Sequence, residues 1–129
     1  MLALTTADVR IFLHVLAATI WVGGQITLGA LVPALRGYEG VTKTAARRYN
    51  MLAWPAFAVL VLTGVWNITS GDMGDAAQRT LEVKVIFVLL SGAAAFLHTR
   101  AKSKAGLAVW GALGMVSALA ALFFGVQLG

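Results

Sequence analysis

The chain has 129 residues, 60% of them hydrophobic and only 12% charged, against roughly 25% charged in an ordinary soluble domain. Its formal charge is +5, but the basic residues lie between apolar blocks and form no basic face or recognition motif, which argues against a nucleic-acid partner. Cysteine is absent, so disulfides, thiolate metal sites and cysteine nucleophiles are excluded.

A membrane-crossing helix needs about 20 mainly apolar residues. Four segments qualify, at about residues 9–35, 51–68, 83–98 and 105–128. In the first, His14, Ala18, Trp21 and Gln25 fall on one helical stripe. Ala17, Gly24 and Gly29 beside it allow close approach of a neighbouring helix. An ionisable group inside a span points to function, so His14 is a candidate ligand or proton carrier, with an interhelical hydrogen bond as the simpler role. Arg10 stands one turn before it, placed to reach headgroups or to pair with a cofactor carboxylate. The N-terminal stretch has no basic start, and its apolar run exceeds the roughly 7–15 residues of a signal peptide, so an uncleaved first helix is expected. Pro33 falls near the end of the first span.

The second span carries Pro55, expected in its first turns, where a missing N–H costs least, and the polar pair Thr63 and Asn67. The third carries Lys84, Ser91 and His98 at seven-residue spacing, on one face. Lys84 either snorkels to the interface or serves as a ligand, proton donor or carboxylate partner. His98 opens the basic cluster His98-Thr99-Arg100 at a helix C-terminus, where cations are favoured. The fourth span aligns Gly114, Ser117 and Ala121, with Met115 beside them. The tryptophans Trp21, Trp54, Trp66 and Trp110 read first as packing residues or interface anchors.

Arg36, Lys43, Arg47 and Arg48 separate the first two spans, and Arg100, Lys102 and Lys104 the last two. The middle connection holds Asp72, Asp75, Glu82 and Arg79. Short basic loops stay cytoplasmic, which places both termini on the outer, periplasmic side. The expected fold is an all-α integral membrane four-helix bundle, residues 1–129 forming one domain. In that arrangement His14, Asn67 and Lys84 lie at the outer ends of their spans and can converge. His98 lies fourteen residues along from Lys84, roughly 21 Å at a helical rise of about 1.5 Å, so His14 and His98 are not expected to share one metal or one haem. A phosphate loop, a zinc helix, a Ser-His-Asp set and any acid inside a span are all missing from the sequence, which argues against a proton pump.

Three ordered pieces carry a resemblance. They are Leu13-His14-Val15-Leu16-Ala17 with Ile20-Trp21-Val22-Gly23-Gly24; Arg47-Arg48-Tyr49, Leu52-Ala53-Trp54-Pro55 and Leu62-Thr63-Gly64; and Leu81-Glu82-Val83-Lys84. Together the chain resembles the copper resistance protein D (CopD) superfamily in its small four-helix form, a superfamily that includes the HemJ-type protoporphyrinogen oxidases. The CopD side of the resemblance implies copper handling at the bacterial inner membrane. The HemJ side implies a haem b with the first-helix histidine as axial ligand and the third-helix lysine near it, which here are His14 and Lys84.

Donor chemistry weighs the two. Cu(I) prefers thiolates and thioethers, and of Met1, Met51, Met73 and Met115 only Met115 is expected deep in the bundle. Haem needs an axial ligand, an apolar slot and cations for its propionates. His14, Trp21, the Ala- and Gly-rich faces, and Arg10 with Lys84 or Arg79 supply candidates. The expectation is a haem-b redox protein of the bacterial inner membrane, transferring electrons or oxidising a small substrate. A copper-binding or copper-uptake protein and a non-catalytic partner subunit are the alternatives. The lipid bilayer is the expected surrounding, with a homodimer and a redox partner compatible with each reading.

Overall fold

The computed structural model describes residues 3–69 and 74–128, and the regular structure among them is entirely helical. Asp72, Met1 and Met73 lie outside the described residues. There are four long helices: α1, Thr6–Leu35; α2, Val41–Thr69; α3, Asp75–Arg100; and α4, Lys104–Leu128. All four are long and apolar enough to cross a membrane. The protein is thus all-α and multi-pass, as its apolar runs predict.

Helix α1 opens with a capping box. The Thr5 hydroxyl accepts from the Asp8 N–H at 3.1 Å, and the Asp8 carboxylate accepts from the Thr5 N–H at 3.0 Å. These bonds satisfy donors that a helix start otherwise leaves open. The helix then widens into one π-helical turn, Thr19–Gly23, before resuming as α-helix at Gly24. The seven-residue stripe drawn through His14, Trp21 and Gln25 assumes a continuous α-helix, and this turn interrupts it.

Helix α2 starts at Val41 and α3 at Asp75, both well ahead of their apolar spans. Lys43, Ala45, Ala46, Arg47 and Arg48, and likewise Ala76, Ala77, Gln78 and Arg79, are good helix formers. They extend the helix beyond the stretch that hydropathy detects. One expectation is corrected by this: Pro55 lies in the interior of α2, not in its first turns. It removes the N–H that the Met51 carbonyl would use, and the helix continues past it.

The described residues fall into two compact units, one made by α1 with α2 and one by α3 with α4. In the first, the chain reverses through residues 36–40. The Arg36 N–H donates to the Val32 carbonyl at 3.0 Å and the Tyr38 N–H to Leu35 at 3.1 Å. Gly40, at φ +77°, takes the left-handed conformation that lets α2 start. Ala17, Trp21 and Val22 of α1 and Ala53, Ala56, Leu60 and Thr63 of α2 are buried. Small residues at the seam bring the backbones close, so dispersion contacts do what the hydrophobic effect cannot do between helices in lipid. Phe12, Val15, Ile26, Leu52, Leu62 and Val65 are exposed on the outside of the unit, as suits contact with acyl chains.

The second unit is also an antiparallel pair. Ser103 opens α4 by accepting from the Gly106 N–H at 2.9 Å. The buried residues Ser91, Ala94, Ser117, Ala118 and Ala121 form its seam. The hydroxyls of Ser91 and Ser117 donate to the Val88 and Leu113 carbonyls of their own helices, so neither is buried without a partner. Phe87 stacks on Phe124 with ring centroids 5.7 Å apart.

Candidate functional site

In the first hairpin the polar and aromatic residues form a ladder along the α1–α2 seam. At its N-terminal end the Arg10 guanidinium lies over the Trp66 ring, 5.9 Å from its centroid. This is a cation–π contact across the helix pair. The Arg10 Nε is buried and has no hydrogen-bond partner.

One turn further along α1, His14 Nδ1 lies 2.8 Å from the Thr63 hydroxyl oxygen of α2. That hydroxyl also faces the Val59 carbonyl at 2.7 Å and the Leu60 carbonyl at 3.2 Å, in its own helix. Thr63 is 4% exposed, so this contact sits inside the seam, whereas His14 itself is only half-buried. Gly64 lies beneath the ring. A methyl group there would stand 3.9 Å from His14 Cε1, an ordinary van der Waals contact.

Beyond His14 comes an aromatic cluster. Trp21 is 3% exposed, 4.5 Å from Phe57 and 5.2 Å from Trp54 by ring centroids. The edge-on Trp21–Trp54 arrangement, 61° between planes, suits the ring quadrupoles. Below the cluster, Tyr49 of α2 reaches the π-helical turn. Its hydroxyl donates to the Trp21 carbonyl at 2.8 Å and the Ile20 carbonyl at 3.2 Å. Gln25 Nε2 also donates to the Trp21 carbonyl, at 2.9 Å. The widened turn offers carbonyls sideways, and side chains take them up. Gly24 makes room for the Tyr49 ring, which occupies the space a Cβ would need.

Of the residues singled out from sequence, Arg10 and His14 are brought together at one end of this seam, and Trp21 belongs to the aromatic cluster further along it. Lys84 stands on the second hairpin. Its ammonium nitrogen and Cε lie 3.2 and 3.3 Å from the position a Cβ would take on Gly125. The predicted Lys84–Ser91–His98 stripe does face α4: the Lys84 and His98 side chains lie against Gly125 and Gly111, and the Ser91 backbone carbonyl lies near Gly114 between them. His98 Nδ1 donates to the Leu107 carbonyl at 2.8 Å, so it ties the end of α3 to the start of α4. Arg100, the next base, packs its guanidinium over Phe96 at 5.2 Å.

Three contacts lie beyond what the sequence pattern shows: Thr63 as the partner of His14, Trp66 as the partner of Arg10, and Tyr49 as a donor to α1. A signal for the first exists in the sequence: His14 and Thr63 stand nearly equal distances from Tyr38, at the centre of the reversal. Folding the hairpin there puts them level.

Among the described residues, no three His, Cys, Asp or Glu side chains are grouped to hold a metal ion. His14, Arg10 and Thr63 place an imidazole, a guanidinium and a hydroxyl at this end of the seam. Together they offer a nitrogen ligand and a partner for a carboxylate. Neither a family model, nor a curated protein, nor a solved structure matches the chain.

Proposed function

We propose that the chain is a haem-b-binding redox protein of a bacterial inner membrane, which passes electrons or oxidises a small substrate. The Arg10–His14 pair carries this reading. The two side chains lie one turn apart at one end of a membrane hairpin, and the Arg10 Nε is buried without an acceptor. A buried guanidinium donor that lacks an acceptor suits a carboxylate brought by a ligand. Haem carries such groups on its edge and brings its own four equatorial nitrogens, so one protein imidazole suffices to anchor it.

The fit favours haem over copper on donor chemistry. Copper would need several soft ligands; the chain has no Cys, and no three His, Cys, Asp or Glu side chains are grouped among the described residues. When bound, haem would supply one-electron redox chemistry at its iron. His14 would hold the haem through its imidazole and Arg10 would pair with a propionate, the Trp66 ring lying against the guanidinium face. This reading agrees with the resemblance to the CopD superfamily. The basic residues between the apolar spans, at 36–48 and 100–104, argue for both termini on the periplasmic side, which puts His14 toward that face.

The test is the optical spectrum of the full chain purified from haem-replete cells, oxidised and reduced. A Soret band that is lost in His14→Ala, and weakened in its haem affinity by Arg10→Gln, is the expected result. A colourless wild-type protein, or a Soret band unchanged in His14→Ala, overturns the reading. Copper found by metal analysis in place of haem points to the copper alternative.

A further inference from the structure

We infer that Thr63 is a positioning residue. It holds His14 as the tautomer with its proton on Nδ1, and so makes Nε2 the nitrogen that meets a ligand. A threonine hydroxyl has one proton to give and two lone pairs to receive with. Thr63 has the Val59 carbonyl oxygen at 2.7 Å in its own helix. A carbonyl has no proton, so a contact that short is stable only when the hydroxyl proton lies in it. The alternative, a proton directed at His14, would leave two oxygens facing each other through lone pairs inside a 4%-exposed pocket.

With its proton committed to Val59, the Thr63 oxygen can only accept. The contact from His14 Nδ1 at 2.8 Å is therefore an N–H donated by the imidazole. In a neutral ring the other nitrogen, Nε2, then carries the lone pair. The ring is therefore oriented before any ligand arrives, since Nδ1 is fixed to α2 and Nε2 lies on the far side of Cε1. Metal-bound histidines generally donate their second N–H in this way, and loss of the acceptor typically lowers metal affinity by about 10–100-fold. The assignment of Nε2 as an iron ligand rests on the proposed haem reading; the tautomer does not.

The two are separated by measuring the full chain without haem in lipid, with 15N-labelled histidine, by NMR. The chain has two histidines, and the His14→Gln variant identifies which signals belong to His14. The expected result is a protonated Nδ1 and an unprotonated Nε2 at His14, kept in Thr63→Ser and lost in the near-isosteric Thr63→Val. Haem titration by absorbance should give affinity close to wild type for Thr63→Ser and about 10–100-fold weaker for Thr63→Val. An Nε2-protonated His14 in the wild type, or a tautomer unmoved by Thr63→Val in a protein of native helicity, overturns the inference whatever haem does. An Nδ1-protonated ring in a protein that takes up no haem sustains the tautomer and sinks the haem reading alone.

Discussion

Replacing Gly24 by alanine isolates the contact on which the lower half of the first hairpin is built. The added Cβ would fall within the Tyr49 ring, meeting its Cε1, Cζ and hydroxyl. The ring cannot simply swing aside, because its hydroxyl is tied to the Trp21 carbonyl at 2.8 Å. Overpacking of this kind costs about 1–3 kcal/mol. Breaking the interhelical hydrogen bond adds about 0.6 kcal/mol. Alanine returns at most about 1 kcal/mol through its higher helix propensity. With the full return, the net expectation is a loss of roughly 0.6–2.6 kcal/mol on the same terms. In a Tyr49→Ala background the obstacle is gone, and Gly24→Ala should become neutral or stabilising, a reversal of sign. Reversible unfolding in bicelles, titrated with SDS and followed by circular dichroism, measures all four corners of the cycle. Gly64→Ala is the internal control, since its Cβ meets His14 Cε1 at 3.9 Å and should be tolerated. An equal effect of Gly24→Ala with and without Tyr49 would refute the proposed steric origin.

Three further outcomes follow from the same geometry. Gly111→Ala should destabilise the second hairpin more than Gly125→Ala does in the same unfolding assay. Each Cβ would meet its neighbour at 3.2 Å, but the His98 ring is pinned by the Leu107 carbonyl whereas Lys84 ends in a flexible chain. Trp21→Ala should cost about 3–5 kcal/mol, the usual loss for a fully packed aromatic, and Trp54 fluorescence should shift as its edge-on neighbour is removed. Thr5→Ala removes the capping box of α1; it should cost about 0.5–2 kcal/mol, with faster amide exchange confined to residues 6–9.

The number and approximate position of the helices are legible in the sequence because lipid demands long apolar runs and little else satisfies that demand. The helix starts are not, since a helix can extend through Lys43 to Arg48 into an aqueous zone where hydropathy is silent. Pro55 illustrates the same limit: it reads as an early-turn proline only if the helix is taken to begin with its apolar part. The Lys84–Ser91–His98 face is legible because α3 is an uninterrupted helix and period alone places the three together. The corresponding stripe of α1 is only partly so. Its π-helical turn is held by partners on α2, the Tyr49 hydroxyl and the ring that fills the space beside Gly24, and no local pattern announces it. The Arg10 and His14 side chains are conspicuous as polar groups in an apolar run. Their partners Trp66 and Thr63 become apparent only when the hairpin register is known.

The widened turn at Thr19–Gly23 has a bearing on how α1 responds to change. Its bonds close a ring one residue longer than those of an α-helix, so the segments before and after it are out of phase by about 100°, one residue's rotation. α1 therefore behaves as two screws of the same pitch joined at a dislocation, one threaded against Thr63 and the other against Tyr49. Deleting a single residue within the turn would heal the dislocation and yield a more regular helix. That straighter helix would keep both contacts, His14 with Thr63 and Gly24 with Tyr49, because the residue removed is the one the wide turn absorbs; forcing the turn into α-helix at full length would instead rotate one of them away.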